Sequence, residues 1–349
     1  MTPITILHVT SPAPRPIWEE LYKADPEAVP YQSPAWLDCA CLTSNLEDAS
    51  RYYELSNGHR FVMPIVRSRK LPPALALAGS MPHGWGMGGL ISETPPSREE
   101  VRVLLADLSR LPYLHLNIRP NPRLGPAWQD AIPPRIQRVP RQAHVIDLEG
   151  GFDKVWTERF SKKTRKNVRK AERLVQAECD TTGRLVPVFY DLLSRSFDQW
   201  AEQQNEPKML ARWRGQRRDP LEKFETIARL MKDSCRVWVA WLDGQPVAAS
   251  MVLQDHNVND SRGAIDRALI GGTNANDLIQ MLSIQDACNA GCRYYHLGES
   301  GNAAGLHHFK GRFGAEVYPY DEYYLEKLPI TRVDRLARTA VKKAIGFKD

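Results

Sequence analysis

The residues with the clearest chemical potential lie near the end of the chain, in the run GLHHFKGRFG that begins at position 305. Three of its apolar residues recur at the spacing of one helix face: Leu306, Phe309 and Phe313. A short helix is therefore predicted, with Lys310 and Arg312 off that face. A lysine so placed can pair with a phosphate or an oxyanion as a point charge. The simpler alternative is a helix that solvates both cations, because charged side chains mostly face water.

A second distinctive run covers residues 158–173, where eight Lys or Arg stand against two acidic residues. We expect Ser161 to cap a helix that continues to about Gln176. Its cations form two rows with a spacing of four residues: Arg165, Arg169 and Arg173 in one, and Lys162, Lys166 and Lys170 in the other. Like charges at this spacing repel, so helix stability does not require them. They can lie on a solvated face, but the repulsion favours an anionic partner.

A glycine-rich passage in the first half reads PHGWGMGG from position 82. Its backbone can approach a ligand closely and offer N–H groups. It lacks the closing Gly-Lys-Ser/Thr of a P-loop and does not open a helix directly after a strand, as a dinucleotide fingerprint would. We select His83, Trp85 and Gly86 as candidate ligand contacts, with a purely structural loop as the alternative.

Size and composition narrow the class of protein. A chain of 349 residues favours two domains, and its net charge of +6 equals the surplus of the basic run. No apolar run approaches the length of a membrane span, and the N-terminus lacks the pattern of a signal peptide, so we expect a cytoplasmic location. The six cysteines match no zinc spacing, so we expect reduced thiols and no metal site.

The pattern of apolar and turn residues predicts an α+β protein in which one series of elements occurs twice. Predicted helices cover 17–23, 34–46, 97–111, 128–132, 161–176, 185–203, 221–232, 276–290, 306–313 and 331–347, and predicted strands cover 4–9, 51–55, 60–67, 113–119, 136–139, 144–148, 236–242, 245–254, 262–270, 293–297 and 315–327. Hairpin turns at Asn57-Gly58 and Asp243-Gly244 correspond in the two halves. We predict domains at 1–143 and 144–330, followed by a basic helix at 331–349.

This order of elements is that of the GNAT N-acyltransferase fold, in tandem, with a mixed β-sheet flanked by helices in each domain. The second half resembles the Fem-like branch, the peptidoglycan aminoacyltransferases and their relatives. Two motifs carry the resemblance: the basic run from Ser161 to Ala171, and the run from Gly305, which is similar to the family's Gly-Leu…Phe-Lys-x-x-Phe-Gly signature. The resemblance extends from about Trp36 to Lys327 and is weaker in the first half. The long helical arm of the staphylococcal-type enzymes has no room in this chain.

The resemblance implies amide formation by transfer of an aminoacyl group from aminoacyl-tRNA, without a cofactor, to an amine of a small molecule or peptide. Lys310 matches the family lysine implicated in tRNA binding and transition-state stabilisation, and Phe309 matches the aromatic residue beside it. The basic rows and Arg312 would hold the donor, and His83, Trp85 and Gly86 part of the acceptor. Glu299, just past a strand end, is the preferred general base, ahead of three histidines: His296, His307 and His308. The resemblance also allows the acceptor amine to lose its proton without a dedicated base.

Other donors and roles remain open. Ordinary acetyl-CoA enzymes of this fold grip pyrophosphate with Arg/Gln-x-x-Gly-x-Gly/Ala, whereas the corresponding junction here has Gly271 and Gly272 without that spacing. An acyl-CoA-dependent acyltransferase of polysaccharide or natural-product biosynthesis is therefore the second hypothesis. The third is a non-catalytic RNA-binding protein on a decayed transferase fold. We expect a monomer. The sequence identifies neither the acyl group nor the acceptor.

Overall fold

A computed structural model of the protein describes residues 3–82, 84–134, 136–204, 206–301 and 303–344. The chain divides into two compact units. The first unit consists of the chain up to Ala143 together with Tyr318–Arg335. The second unit consists of His144–Val317 together with the chain from Leu336 onward. Each unit encloses its own cluster of buried apolar side chains, so each has a core of its own.

The first unit is built on two sheets. Its elements are β1 (Ile6–Thr10), α1 (Arg15–Ala24), α2 (Pro34–Thr43), β2 (Leu46–Asp48), β3 (Arg51–Leu55), β4 (Arg60–Met63), β5 (Val66–Ser68), β6 (Leu77–Gly79), α3 (Arg98–Leu108), β7 (His115–Ile118) and α4 (Gly125–Ala131), with 3-10 turns at Pro30–Gln32, Pro73–Leu75 and Pro122–Leu124. Strands β1, β3 and β4 form an antiparallel sheet. Strands β2, β5, β6 and β7 are successive neighbours in the second, which is mixed because β6 and β7 are parallel.

The second unit contains a larger mixed sheet. The chain continues with β8 (Gln137–Asp147), α5 (Gly151–Lys154), a π-helix (Val155–Arg159), α6 (Lys162–Ala171), β9 (Gln176–Asp180), α7 (Val186–Gln204), α8 (Lys208–Arg218), α9 (Leu221–Met231), a 3-10 turn (Lys232–Ser234), β10 (Cys235–Leu242), β11 (Gln245–Gln254), β12 (Val258–Ile265), α10 (Ala275–Asn289), β13 (Tyr294–Glu299), α11 (Ala304–Gly311), β14 (Glu316–Glu326) and α12 (Ile330–Ala344). The order of neighbouring strands in this sheet is β13-β12-β11-β10-β9, and β12 and β13 are parallel to each other. Both units thus combine a mixed sheet with helices, as predicted.

Local sequence signals explain several of these boundaries. The Ser97 hydroxyl accepts a hydrogen bond from the Glu100 N–H, and the Glu100 carboxylate accepts one from the Ser97 N–H, so a capping box begins α3. Asp243 and Gly244 both have positive φ, 49° and 75°, as a type I′ hairpin between β10 and β11 requires. Gly291, with φ of 75°, follows α10 as the predicted C-terminal stop.

Some predicted boundaries are wrong. Residues 136–139 and 144–148 were predicted as separate strands, but β8 is one strand that passes through Pro140, whose fixed φ suits extended backbone. Helix α6 ends at Ala171 instead of Gln176, because Leu174 and Val175 both turn back to the Ala171 carbonyl. Helix α10 begins after the left-handed Asn274, not at Asn276 or Asp277. The strand predicted at 262–270 is β12, which ends at Ile265.

The segment before α9 contains the largest difference from the prediction. Asp219 lies just before α9, as a capping residue would, but its buried carboxylate instead accepts hydrogen bonds from the side chains of Lys223, Arg218 and Arg262. Pro220 occupies the cap position without a side-chain bond. Helix α8 was not predicted, because its sequence KMLARWRGQRR has no broad apolar stripe. Among the described residues, no helix combines the length and apolar character needed to cross a bilayer.

Candidate active site

The parallel strands β12 and β13 diverge soon after they meet. Within the described chain they pair at Val258 with Tyr295 and at Asn259 with His296, whereas β12 pairs with β11 along most of its length. Divergence separates the next residue of β12, Asp260, from the end of β13. Backbone groups along such an opening need partners other than a neighbouring strand. The opening is therefore a place where side chains or a substrate can meet strand carbonyls.

Lys310 supplies such a partner. Its side chain is only 8% exposed, and Nζ donates to the carbonyls of Gly298, at 3.0 Å, and Glu299, at 2.8 Å. The prediction that Lys310 lies off a buried face is wrong, because these carbonyls compensate the ammonium for the loss of water. Leu306, predicted on the buried face, is 48% exposed. An ammonium has three donors, so among the described residues one N–H of Lys310 remains after these two bonds.

The electrostatic surroundings of Lys310 bring its titration close to neutral pH. Burial lowers the pKa of Lys310 to about 8, although the carboxylates of Asp260 and Glu299 oppose that shift. Burial also raises the pKa of Asp260, against the opposing effects of Lys310 and of hydrogen bonds from Ser250 and Gln280. Ser250 Oγ lies 3.2 Å from the Asp260 carboxylate. Lys310 can thus be a cation at neutral pH and lose its proton at mildly alkaline pH.

His144 joins this group and was not selected from the sequence. It is buried near the end of β8, its Nδ1 lies 3.3 Å from Ser300 Oγ, and its ring centroid is 4.8 Å from that of His307. Burial lowers the pKa of His144 to about 4, and the charges of Lys310 and His307 contribute. The imidazole is therefore neutral at pH 7 and can accept a proton. His144 and Asp260 are far from Lys310 in sequence, so only the fold brings them together.

The four residues predicted as general-base candidates differ in position and in burial. Glu299 ends β13 and is half-buried, and its backbone carbonyl rather than its carboxylate bonds Lys310. His296 is buried within β13, and His308 is exposed on α11. His307 Nε2 lies 3.1 Å from the Gly301 carbonyl. Glu299 acts electrostatically on Lys310, and His307 acts electrostatically on His144.

The two sequence motifs of the second unit are physically joined. The Arg312 carbonyl accepts hydrogen bonds from the Ser161 N–H, at 2.9 Å, and from Thr164 Oγ1, at 3.1 Å, so the turn after α11 caps the start of α6. Phe313 is buried, with its ring centroid 5.1 Å from that of Phe160. Gly314 has φ of 79°, and a Cβ there would lie 2.5 Å from Arg159 Cβ. Aromatic packing and this close approach explain the final Phe-Gly of the signature.

The predicted donor-binding cations separate into two groups. Arg165 is half-buried and donates to three carbonyls near the end of the π-helix, those of Trp156, Thr157 and Phe160. Arg312 pairs with Asp277 at 2.9 Å and is largely buried. These contacts give Arg165 and Arg312 structural roles. The remaining predicted cations are exposed: Lys162, Lys166, Arg169 and Lys170 on α6, and Arg173 in the turn that follows it.

The glycine-rich passage of the first unit is packed tightly. Trp85 is buried, its ring centroid is 5.0 Å from that of Trp36, and its carbonyl accepts from Trp36 Nε1 at 2.9 Å. A Cβ on Gly86 would lie 2.3 Å from the ring of Tyr31. Both residues therefore serve packing in the structure. His83, the third predicted acceptor contact, lies outside the described residues.

Comparisons with known proteins agree with this architecture. Residues 158–311 match the model of a family described as an acetyltransferase (GNAT) domain. That span contains the diverging strands, α6 and Lys310. The chain has the GNAT fold. Residues 158–311 of this GNAT protein are a domain of the acyltransferase type, which confirms the coarse prediction of activity.

Solved structures extend the likeness to the whole GNAT chain. FemX is similar over 92% of this chain and 97% of its own, with 12% identity and a TM-score of 0.66. L-PGS from Bacillus licheniformis covers 97% of this chain and 98% of its own, at 13% identity and a TM-score of 0.51. The C-terminal domain of a putative lysylphosphatidylglycerol synthetase from Agrobacterium fabrum covers 89% and 92%, at 13% identity and a TM-score of 0.50. No curated protein matches the sequence. The predicted Fem-like resemblance is confirmed at the level of the fold.

Proposed function

We propose that this GNAT-type acyltransferase forms an amide by moving an aminoacyl group from aminoacyl-tRNA to an amine of a small molecule or peptide. One observation carries the proposal: a buried lysine beside the diverging strands directly precedes the turn that caps a strongly basic exposed helix. Polyphosphate binding and oxyanion stabilisation are thereby available from adjoining elements, α6 and α11. An aminoacyl ester is already activated, so its transfer needs no further cofactor.

The chemistry follows from the groups near Lys310. A neutral amine attacks the ester carbonyl of the donor, and negative charge develops on the carbonyl oxygen. The Lys310 ammonium, held by the carbonyls of Gly298 and Glu299, stabilises that charge with its remaining N–H. The amine loses a proton as the C–N bond forms; the neutral imidazole of His144, a weak base because its pKa is about 4, can pass that proton on but cannot retain it. The tRNA oxygen leaves with a proton when the ester bond breaks.

The start of α10 supports aminoacyl-tRNA over acyl-CoA. In the acyl-CoA alternative, pyrophosphate would bind free N–H groups at this helix start. Here the Ala275 N–H donates to Thr273 Oγ1, and the Asp277 N–H donates to the Asn274 carbonyl. The Asp277 carboxylate is also present in the first turn, paired with Arg312, and a carboxylate repels phosphate. The helix start is therefore poorly suited to a second anion.

The decisive test offers both donors to the same protein. Purified protein is incubated with a mixture of charged tRNAs or with acetyl-CoA, together with a panel of amines, and the amide products are identified by mass spectrometry. We expect products from charged tRNA and none from acetyl-CoA. Equal or faster use of the thioester would contradict the proposed donor. Binding of tRNA without any product would instead favour a non-catalytic RNA-binding protein.

Charge reversal on α6 should weaken tRNA binding. The double variant Lys166→Glu/Lys170→Glu changes two exposed lysines one turn apart, so it should reduce the affinity for tRNA and lower the slope of log Kd against log salt by about one to two. The measurement is filter binding at several salt concentrations. The matched control is Lys70→Glu/Arg110→Glu, which reverses two exposed cations of the first unit and should leave the slope unchanged. If the slope of log Kd against log salt were the same for both variants, the exposed cations of α6 would face solvent and would not contact tRNA.

A further inference from the structure

Helix α8 presents an exposed apolar surface in the second unit. Met209 is 81% exposed and Trp213 is 57% exposed, and their spacing of four residues places them on one face, beside the partly exposed Leu210. The opposite face packs against α7, since a Cβ on Gly215 would lie 2.8 Å from the ring of Phe197. The helix is therefore anchored on one side and shows large apolar side chains to solvent on the other. A contiguous patch of this kind marks an interaction surface.

The same helix is strongly cationic. Its sequence carries five Lys or Arg and no acidic residue. Three of the cations are held by carboxylates outside the helix: Lys208 by Glu202, Arg214 by Glu206, and Arg218 by Asp219. Arg212 and Arg217 are exposed, and the Arg217 guanidinium lies 5.3 Å from the ring centroid of Trp213. Positive charge thus borders the apolar patch directly.

We propose that the face formed by Met209, Leu210, Trp213, Arg212 and Arg217, here called the α8 face, docks on an anionic lipid surface. A helix that lies in a bilayer interface combines buried apolar side chains, a tryptophan at headgroup depth and cations at the lipid phosphates. Long arginine side chains can extend from the apolar boundary to those phosphates. The α8 face has each of these features within three turns.

Two other partners fit the α8 face less well. Nucleic acid would use the cations and could stack on Trp213, but it offers no apolar surface of matching extent to Met209 and Leu210. A second copy of the chain would bring Arg212 and Arg217 against the same two arginines, and such like charges repel. The lipid surface is the partner that matches both the apolar and the charged part. This inference does not rest on the proposed aminoacyl transfer.

The test is co-flotation of the full chain with vesicles. We expect the protein to float with vesicles of phosphatidylcholine and phosphatidylglycerol in equal amounts, and far less with phosphatidylcholine alone. Added salt should weaken the binding, because it screens the arginines from the lipid phosphates. Absence of flotation with the anionic vesicles, or equal flotation with both compositions, would overturn the proposal.

Three variants separate the apolar from the electrostatic contribution to vesicle binding. Met209→Ser/Trp213→Ser should lower the vesicle partition coefficient about tenfold or more, since it removes two apolar insertions. Arg212→Glu/Arg217→Glu keeps the apolar residues and should lower it by a similar factor. Leu42→Ser, at a side chain that is 62% exposed on α2, is the matched control and should bind like the unaltered protein. Unchanged binding by both double variants would refute the α8 face as the docking site.

The same variants also report on the rejected partners. If the α8 face instead joined two copies, the serine variant would convert a dimer into a monomer in light scattering. If it bound nucleic acid, the serine variant would lose tRNA affinity while vesicle binding persisted. Either result would overturn the lipid assignment.

Discussion

Replacing Lys310 by methionine should lower the rate of acyl transfer by about 10²- to 10³-fold, as removal of one oxyanion donor does in other enzymes. The affinity for tRNA should change little, because many phosphate contacts share that binding energy. Single-turnover transfer from charged tRNA measures the first effect and filter binding the second. The control, Lys70→Met, removes an exposed lysine of the first unit and should leave both unchanged. A transfer rate for the Lys310 variant equal to that of the unaltered protein would contradict the assigned role.

The pH dependence of transfer distinguishes a cationic Lys310 from a basic one. Burial sets its pKa at about 8, so an ammonium that stabilises an oxyanion is lost as the pH rises through 8, and the rate should fall there. Lys310→Arg keeps its proton at all accessible pH values, so whatever activity it retains should lack this alkaline decrease. A rate that rises toward pH 8, with an inactive arginine variant, would instead identify Lys310 as a general base.

The sequence predicted the parts of the fold that short-range chemistry determines. A hairpin turn forms at both Asn57-Gly58 and Asp243-Gly244; both residues of the second turn have positive φ, as a type I′ turn requires, whereas in the first turn Gly58 has positive φ and Asn57 does not. The capping box at Ser97 and Glu100 depends on neighbours three residues apart and also forms. Such features are readable because the interacting groups are close in the chain.

The candidate site was less predictable, because its partners are distant in sequence. Helical spacing placed Lys310 off the apolar face and left open whether it is solvated, whereas the carbonyls at the end of β13 permit its burial. His144 and Asp260 carry no motif, and they approach Lys310 only because β8, β12 and β13 are neighbours in one sheet. The cationic patterns that contain Arg165 and Arg312 suggested donor binding. They gave no sign that Arg165 donates to backbone carbonyls or that Arg312 pairs with Asp277. Sequence pattern identifies charge but not the groups that neutralise it.

Asp219 is a further residue whose charged partners are not evident from the sequence pattern, and its contacts should matter for folding stability. Its carboxylate is 1% exposed and accepts the Lys223 ammonium at 2.9 Å, while Arg218 and Arg262 approach the same group. These contacts link the end of α8 to α9 and β12. Asp219→Ala should therefore lower the free energy of unfolding by about 3–5 kcal/mol, because the buried Lys223 ammonium would lose the carboxylate that pairs with it at 2.9 Å. Urea denaturation followed by circular dichroism measures the change.

Two comparisons make the Asp219 result specific. Asp191→Ala breaks the surface pair with Arg195 and should cost less than about 1 kcal/mol. Adding Lys223→Met to Asp219→Ala also removes the buried ammonium that has lost the Asp219 carboxylate, so the double variant should recover about 1 kcal/mol or more relative to Asp219→Ala alone. A double variant no more stable than the single one would mean that the loss arises from α8 and α9 packing rather than from buried charge.

Lowering the pH should cause a similar loss of folding stability in the unaltered protein. Burial alone would raise the pKa of Asp219, but the cations of Arg262, Lys223 and Arg218 outweigh it and lower the pKa to about 2. A carboxylate with a depressed folded-state pKa contributes stability above its unfolded pKa of about 4 and loses it as the pH falls toward 2. The unaltered protein should therefore lose more stability than the Asp219→Ala/Lys223→Met variant between pH 5 and pH 2. Parallel losses in the two proteins would show that other carboxylates, and not Asp219, govern the acid response.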